Sequence, residues 1–88
     1  MKVRVKYLMW LRDLVGVDGE EINLDRPMPV IELIDIIAKR HPKLKKHIDR
    51  VFSSDNPIIV LVNGTGAAPR RSLRDGDEVL FIPSVSGG

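Results

Sequence analysis

The chain has no cysteine among its 88 residues. It therefore has no disulfide, no thiolate nucleophile and no cysteine-ligated zinc, and any sulfur that it handles must be carried on another group. Long hydrophobic runs are also missing, because runs such as Ile58–Val62 are far shorter than the roughly 20 residues of a membrane helix. The first six residues alternate charge with valine, unlike a secretory signal, so we expect a cytoplasmic protein without a membrane span.

The length of the chain limits what it can enclose. A domain of this size buries only about 60% of the surface of its unfolded chain, which leaves little room for a closed active-site cavity. The content of 43% hydrophobic and 30% charged residues is typical of a soluble globular domain. We therefore expect one domain without an autonomous catalytic centre.

The charge is unevenly distributed. The formal net charge is +2, but residues 39–50 hold six cations against one acid, Asp49. Three interpretations stay open: a solvated helix end whose dipole favours cations, a surface for an acidic protein, or a nucleic-acid site. The segment has no aromatic residue to stack on bases, so nucleic acid is the least favoured. The cations are Lys39, Arg40, Lys43, Lys45, Lys46 and Arg50.

Hydrophobic periodicity predicts the order β-β-α-β-β. Alternation indicates strands over residues 3–7 and 22–24, joined by a long loop, and helical spacing begins at Val30. A short helical turn is expected near residues 44–51, and strands are expected at 58–62 and 79–82. The run 58–62 is apolar at both parities, which is typical of a strand covered on both faces. One helix on a four- to five-stranded mixed sheet is an α+β, β-grasp fold, with the first and last strands parallel and adjacent.

Three polar patterns are interpreted as structural. The run from Asn63 to Gly66 lacks the third glycine and the helix of a dinucleotide fingerprint, so a turn is favoured. His41 and His47 are separated by Pro42 and lack a carboxylate that would complete a metal site. Asp75, Asp77 and Glu78 are considered as a cation or acid–base site, but Asp-Gly-Asp before a strand is typical of a tight turn.

The last residues carry the strongest functional pattern. Gly87 and Gly88 follow a strand and a proline, and glycine can lie in a slot too narrow for any side chain. We expect residues 1–83 to form the β-grasp domain and residues 84–88 a flexible tail that partner enzymes grip. The expected functional group is the carboxylate of Gly88. The tail-binding residues would be Pro83, Ser84, Val85, Ser86 and Gly87.

These residues resemble the MoaD family, the small sulfur-carrier subunit of molybdopterin synthase, which is related to ThiS-type carriers. The similarity is strongest over Leu73, the run from Asp75 to Val79, Pro83 and the last four residues. Leu11-Arg12-Asp13, Gly16, His41-Pro42 and Val62-Asn63 also match. Two departures are Ser84, where the family usually has a second proline, and Met9-Trp10, where it usually has smaller residues. We expect Ser84 to loosen the tail and Trp10 to alter docking.

The resemblance implies a function at the end of the chain. A ubiquitin-activating-like enzyme would use ATP to adenylate Gly88, and a thiocarboxylate would follow. The large subunit of molybdopterin synthase would then use that sulfur to build the dithiolene of molybdopterin. No cofactor is expected on this chain itself.

Several alternative functions stay open, and they differ in whether they need an activated Gly88. Within the fold they are a sulfur carrier for tRNA thiolation or thiamine thiazole, and a ubiquitin-like protein modifier. A β-grasp binding module that uses residues 39–50 would not need the tail.

Strand parity predicts the docking surface. If Val3, Val5, Tyr7, Val79 and Phe81 face the helix, then the residues between them face away. Leu8, Leu80 and Ile82 are therefore expected to form an exposed apolar patch beside the tail, and such patches usually mark partner surfaces. The alternative is that a loop or a second copy of the chain covers them.

Overall fold

A five-stranded mixed sheet with the strand order β2-β1-β5-β3-β4 organises the fold. The computed structural model describes residues 1–48, 51–54 and 58–83. In chain order the elements are β1 (Lys2–Tyr7), α1 (Trp10–Val15), β2 (Gly19–Asn23), α2 (Val30–Arg40), a 3₁₀ helix (Pro42–Leu44), α3 (Lys45–Ile48), β3 (Ile58–Val62), β4 (Thr65–Gly66) and β5 (Glu78–Pro83).

The two central strands, β1 and β5, are parallel, and their register pairs Tyr7 with Phe81. β2 adds to β1 in antiparallel fashion, and β3 adds to β5 in the same way on the other side. This is the predicted β-grasp arrangement, with the first and last strands adjacent. It brings the C-terminal ends of β1 and β5 together at one edge of the molecule.

The main helix, α2, covers one face of the sheet. It begins directly after Pro29, its apolar stripe is fully buried, and it ends at Arg40, with His41 as the C-cap before Pro42. The helix packs over Tyr7 and Phe81, which are almost inaccessible to solvent. The helical turn expected near residue 44 is present as the 3₁₀ helix and α3, which bury Leu44 and Ile48. No helix in the described ranges is both long and apolar enough to span a membrane.

The connection between the first two strands was expected as a loop, and this expectation is wrong. It contains α1, whose six residues are too few to show a helical period. Gly16 ends the helix with φ of 91° and donates its backbone N–H to the carbonyl of Arg12. Gly19 then lies so close to β1 that an added Cβ would be 2.7 Å from the carbonyl oxygen of Val5. Gly19 therefore allows the tight antiparallel pairing of β1 with β2.

The expectation that β3 is covered on both faces is also wrong. Ile58, Val60 and Val62 are buried in the core, but Ile59 is 50% exposed and Leu61 is half-buried. No helix of the described chain covers the face to which Ile59 belongs. Apolar residues at both parities mark a strand with two apolar faces, and the sequence does not say whether the second face is covered within the same chain.

Candidate functional site

An apolar patch lies on the sheet face opposite α2, the open sheet face. Register joins Ile59 to Ile82 and Leu61 to Leu80, and paired residues of neighbouring strands share a face. The backbone N–H of Leu8 donates to the carbonyl of Phe81, which places Leu8 beside Ile82. We call these five residues the open-face patch: Leu8, Ile59, Leu61, Leu80 and Ile82.

The parity prediction gave the correct sheet face for these residues, but of the three residues expected to be exposed only Leu8 is so. Leu8 is 38% exposed, and Leu80 and Ile82 are half-buried, all on the side away from α2. Sequence reasoning missed Ile59 and Leu61. The sequence does show that β3 is apolar on both faces, which could have revealed these two residues. That pattern instead predicted that other parts of the same chain cover both faces of β3. Docking of a partner on this patch stays a prediction.

The other half of the open sheet face is charged. Arg4 and Lys6 project from β1 and form ion pairs with Glu21 at 3.5 Å and with Glu78 at 3.4 Å. All four side chains are well exposed, so these pairs contribute little to stability. A partner of this face would meet an apolar half over β3 and β5 and a polar half over β1 and β2.

The patch leads directly to the predicted tail. Pro83 is buried as the last residue of β5 and pairs with Ile58. Ser84, Val85, Ser86, Gly87 and Gly88 lie outside the described residues. Their predicted role, and the division into a domain of residues 1–83 and a tail of residues 84–88, stay predictions.

A polar cluster that the sequence did not reveal joins β1, β2 and the end of α2. The carboxylate of Glu20 accepts hydrogen bonds from the Tyr7 hydroxyl at 2.7 Å and from Arg40 Nη1 at 2.9 Å. His41 Nε2 lies 2.6 Å from Glu20 Oε2, and a carboxylate only accepts, so Nε2 carries the proton. These residues come from three separate segments of the chain, and only the hairpin and the helix crossover bring them together.

The cluster sets the protonation states of its members. Burial alone raises the pKa of the Glu20 carboxyl, but the hydrogen bonds from Tyr7, Arg40 and His41 outweigh it, so the net pKa is lowered. Burial and then the bond to Glu20 raise the pKa of Tyr7 far above its ordinary value. Glu20 is therefore an anion and Tyr7 a neutral donor near neutral pH. The cluster therefore has a structural role: it links β1 and β2 to the residue that follows α2.

We expect Glu20→Gln to lower the free energy of unfolding by about 2 kcal/mol at pH 7, because hydrogen bonds to a charged group become bonds to a neutral one. The folded-state pKa of Glu20 lies below its unfolded value of about 4.3. Its contribution is thus fully present above that pH and is lost as the pH falls through the folded pKa. Thermal unfolding at several pH values should show the two proteins converging in acid.

Glu21→Gln is the matched control, because Glu21 is the neighbouring residue of β2 and forms only exposed ion pairs. It should change stability by less than about 0.5 kcal/mol. A difference between wild type and Glu20→Gln that stays constant down to pH 3 would contradict the assignment.

The turn interpretations are confirmed by hydrogen bonds. Asn63 has φ of 52°, and its amide donates to Asp77 Oδ1 at 2.9 Å. Asp77 Oδ2 accepts the backbone N–H of Arg74 at 2.8 Å, and Asp75 Oδ1 accepts that of Lys2 at 2.7 Å. These carboxylates thus fasten the loop before β5 to its neighbours.

The two histidines are placed in different environments. His41 belongs to the Glu20 cluster, whereas the ring of His47 contacts that of Trp10, with centroids 5.0 Å apart. Across the described ranges, no three His, Cys, Asp or Glu side chains gather where a metal ion could bind.

Comparison with known proteins gives a consistent set of relatives. Residues 5–88 match the ThiS family. The molybdopterin synthase sulfur carrier subunit of Mycobacterium tuberculosis is 33% identical over 89 residues, covering 100% of this chain and 99% of that protein. A putative molybdopterin converting factor, subunit 1, from Pyrococcus furiosus superposes with a TM-score of 0.86 at 40% identity, over 97% of this chain and 99% of its own. SAMP1 from Haloferax volcanii superposes with a TM-score of 0.82 at 30% identity, over 100% of both chains.

Proposed function

Because this chain belongs to the ThiS family, we propose that it is a sulfur carrier of molybdopterin biosynthesis and that Gly88 carries the sulfur. The observation that carries the proposal is the family match, which extends through Gly87 and Gly88 to the end of the given sequence. The absence of cysteine agrees with it, since the sulfur would have to sit on a group other than a side-chain thiol.

The chemistry follows from the low reactivity of a carboxylate. The Gly88 carboxylate attacks the α-phosphate of ATP on an adenylating enzyme, and pyrophosphate leaves. Sulfide, or an equivalent sulfur donor, then attacks the acyl carbon and AMP leaves, so one oxygen of Gly88 is replaced by sulfur. The large subunit of molybdopterin synthase would accept the resulting thiocarboxylate as its sulfur source. ATP is bound and used by the activating enzyme and is not a cofactor of this chain.

The open-face patch gives these partners a surface to bind. It lies on the last strand before the tail, so a protein that contacts Leu80 and Ile82 would meet the tail directly afterwards. The β-grasp fold then serves as the rigid part of the protein that partners bind. The two glycines supply a terminus without side chains that can enter a narrow active site.

The direct test is intact-mass measurement after incubation with ATP, the adenylating enzyme and sulfide. We expect a mass gain equal to the exchange of one oxygen for one sulfur, and fragmentation should place it on Gly88. Omission of ATP is the control and should leave the mass unchanged. Sulfur mapped to any other residue would contradict the proposal.

A second function is supported by the similarity to SAMP1, since a small archaeal modifier would need the same activated glycine. In that case a lysine amine attacks the acyl carbon of adenylated Gly88, AMP leaves, and an isopeptide bond forms in place of a thiocarboxylate. Incubation of the activated chain with a lysine-rich acceptor protein distinguishes the two outcomes. Sulfur carriage for tRNA thiolation or thiamine thiazole would differ only in the final acceptor.

A further inference from the structure

The tertiary structure brings an aromatic side chain to the basic segment, which has none of its own. Trp10 lies at the start of α1 and is 39% exposed, and its ring meets that of His47 at an interplanar angle of 67°. α1 packs beside the 3₁₀ helix that precedes α3. Trp10 therefore borders the lysines of this segment.

A shallow groove of about 640 Å³ lies between α1 and α3. Its apolar parts come from Leu14 and Pro42, and lysines line its sides. Lysine stems are apolar, so such a groove combines an apolar floor with a cationic rim. The lining residues are Leu14, Pro42, Lys43, Lys45, Lys46 and His47.

Charge at this groove is available to a partner. Lys43 and Lys46 are exposed, and neither forms an ion pair with another residue in the part of the chain that the structure describes. Arg40, by contrast, is held by Glu20 at 2.9 Å. Exposed cations beside an exposed indole ring favour an anionic ligand that also has apolar groups.

Met9 connects Leu8 of the open-face patch to Trp10 along the chain. This residue has φ of 56° and is 50% exposed, and a non-glycine residue in such a conformation costs about 1 to 3 kcal/mol. The strained turn directs the chain from Leu8 on the open sheet face to Trp10 beside the groove. The patch and Trp10 are therefore joined by a single exposed residue of the chain.

We propose that Trp10, Lys43, Lys46 and His47, with Leu14 and Pro42 beneath them, form a second docking surface, the Trp10 surface, which binds an acidic, partly apolar segment of the protein that receives the tail. The proposal rests on the proposed function, since it assumes a receiving protein. The exposed charges of Lys43 and Lys46, which complement an acidic segment, and the short chain connection from Leu8 to Trp10 point to this occupant.

Single-stranded nucleic acid is less well matched to the same features. Proteins that bind it without sequence preference stack successive bases on several aromatic rings along a basic groove. Here one indole ring is present, and it already contacts His47. An acidic polypeptide needs only the cationic rim and an apolar floor, both of which this groove supplies.

The test is the charge reversal Lys43→Glu together with Lys46→Glu in the full chain. Association with the molybdopterin synthase large subunit of the same organism is measured at low and at physiological salt. We expect association at low salt to slow by about tenfold, because electrostatic steering is lost, and the salt dependence to flatten. Trp10→Ala should mainly accelerate dissociation.

Arg70→Glu together with Arg71→Glu is the matched control, because it makes the same change in net charge on an exposed loop outside the groove. Its effect should stay within about twofold. Circular dichroism shows whether each variant is folded. Wild-type rates and salt dependence for the Lys43 and Lys46 variant would overturn the proposal.

Two further measurements separate this proposal from its alternatives. If Ile82→Asp abolishes binding while the lysine variant binds normally, the Trp10 surface is refuted and the carrier function stands. If neither variant affects binding, docking through either surface is refuted. Fluorescence anisotropy with a labelled single-stranded RNA tests the remaining ligand class. RNA binding that requires Lys43 and Lys46, without an effect on the large subunit, would overturn the acidic-segment proposal.

Discussion

Addition of one alanine after Gly88 is expected to abolish thiocarboxylate formation, and deletion of Gly88 should do the same. The extension moves the reactive carboxylate by about 3.5 Å and places a Cβ where the tail must be narrow. Misplacement of a reacting atom by even 1 Å can cost about 100-fold in rate, so we expect a loss of at least that size. Intact-mass spectrometry at several times after addition of ATP and sulfide measures the rate.

Asp35→Asn is the control, because Asp35 is exposed on α2 and belongs neither to the tail nor to the open-face patch. It should be thiolated at nearly the wild-type rate. The extended chain should also keep the thermal stability of the wild type, since every core residue identified in the structure precedes residue 84. Thiolation of the extended chain at the wild-type rate would mean that Gly88 is not the carrier residue.

Ile82→Asp is expected to weaken binding to both the large subunit and the adenylating enzyme by about 2 kcal/mol or more, the effect of removing a central interface anchor. This corresponds to about a 30-fold rise in Kd. The aspartate would place a charge in the middle of the open-face patch, where burial under a partner leaves it unpaired. Calorimetric titration of each partner measures the effect.

Two further variants make this result interpretable. Ile59→Asp changes the residue paired with Ile82 and, at 50% exposure, should weaken binding with little effect on folding. Ile31→Asp is the control, because Ile31 is 44% exposed on α2, an element outside the open-face patch. It should bind with wild-type affinity. If Ile82→Asp and Ile59→Asp bind both partners normally, the patch is not their docking surface.

The architecture was predictable because its signals are local. Valines alternating with charges in β1 and the apolar stripe of α2 each require only a few residues to recognise. The resemblance to the MoaD family, carried by the run from Asp75 to Val79 and the last four residues, is confirmed by the ThiS family match and by its relatives. Short elements gave no such signal, as the missed helix α1 and the two-residue strand β4 illustrate.

The sequence by itself determined that the chain has a β-grasp fold, that it carries no sulfur on cysteine, and that Leu8, Leu80 and Ile82 share one sheet face, since periodicity and composition decide these points. Only the tertiary structure decided that Ile59 extends this patch, that Glu20 joins Tyr7 to His41, and that Trp10 borders the basic segment. Each of these contacts joins residues that are distant in the chain. Strand register and helix crossover create them, and neither is encoded in the local pattern of residues.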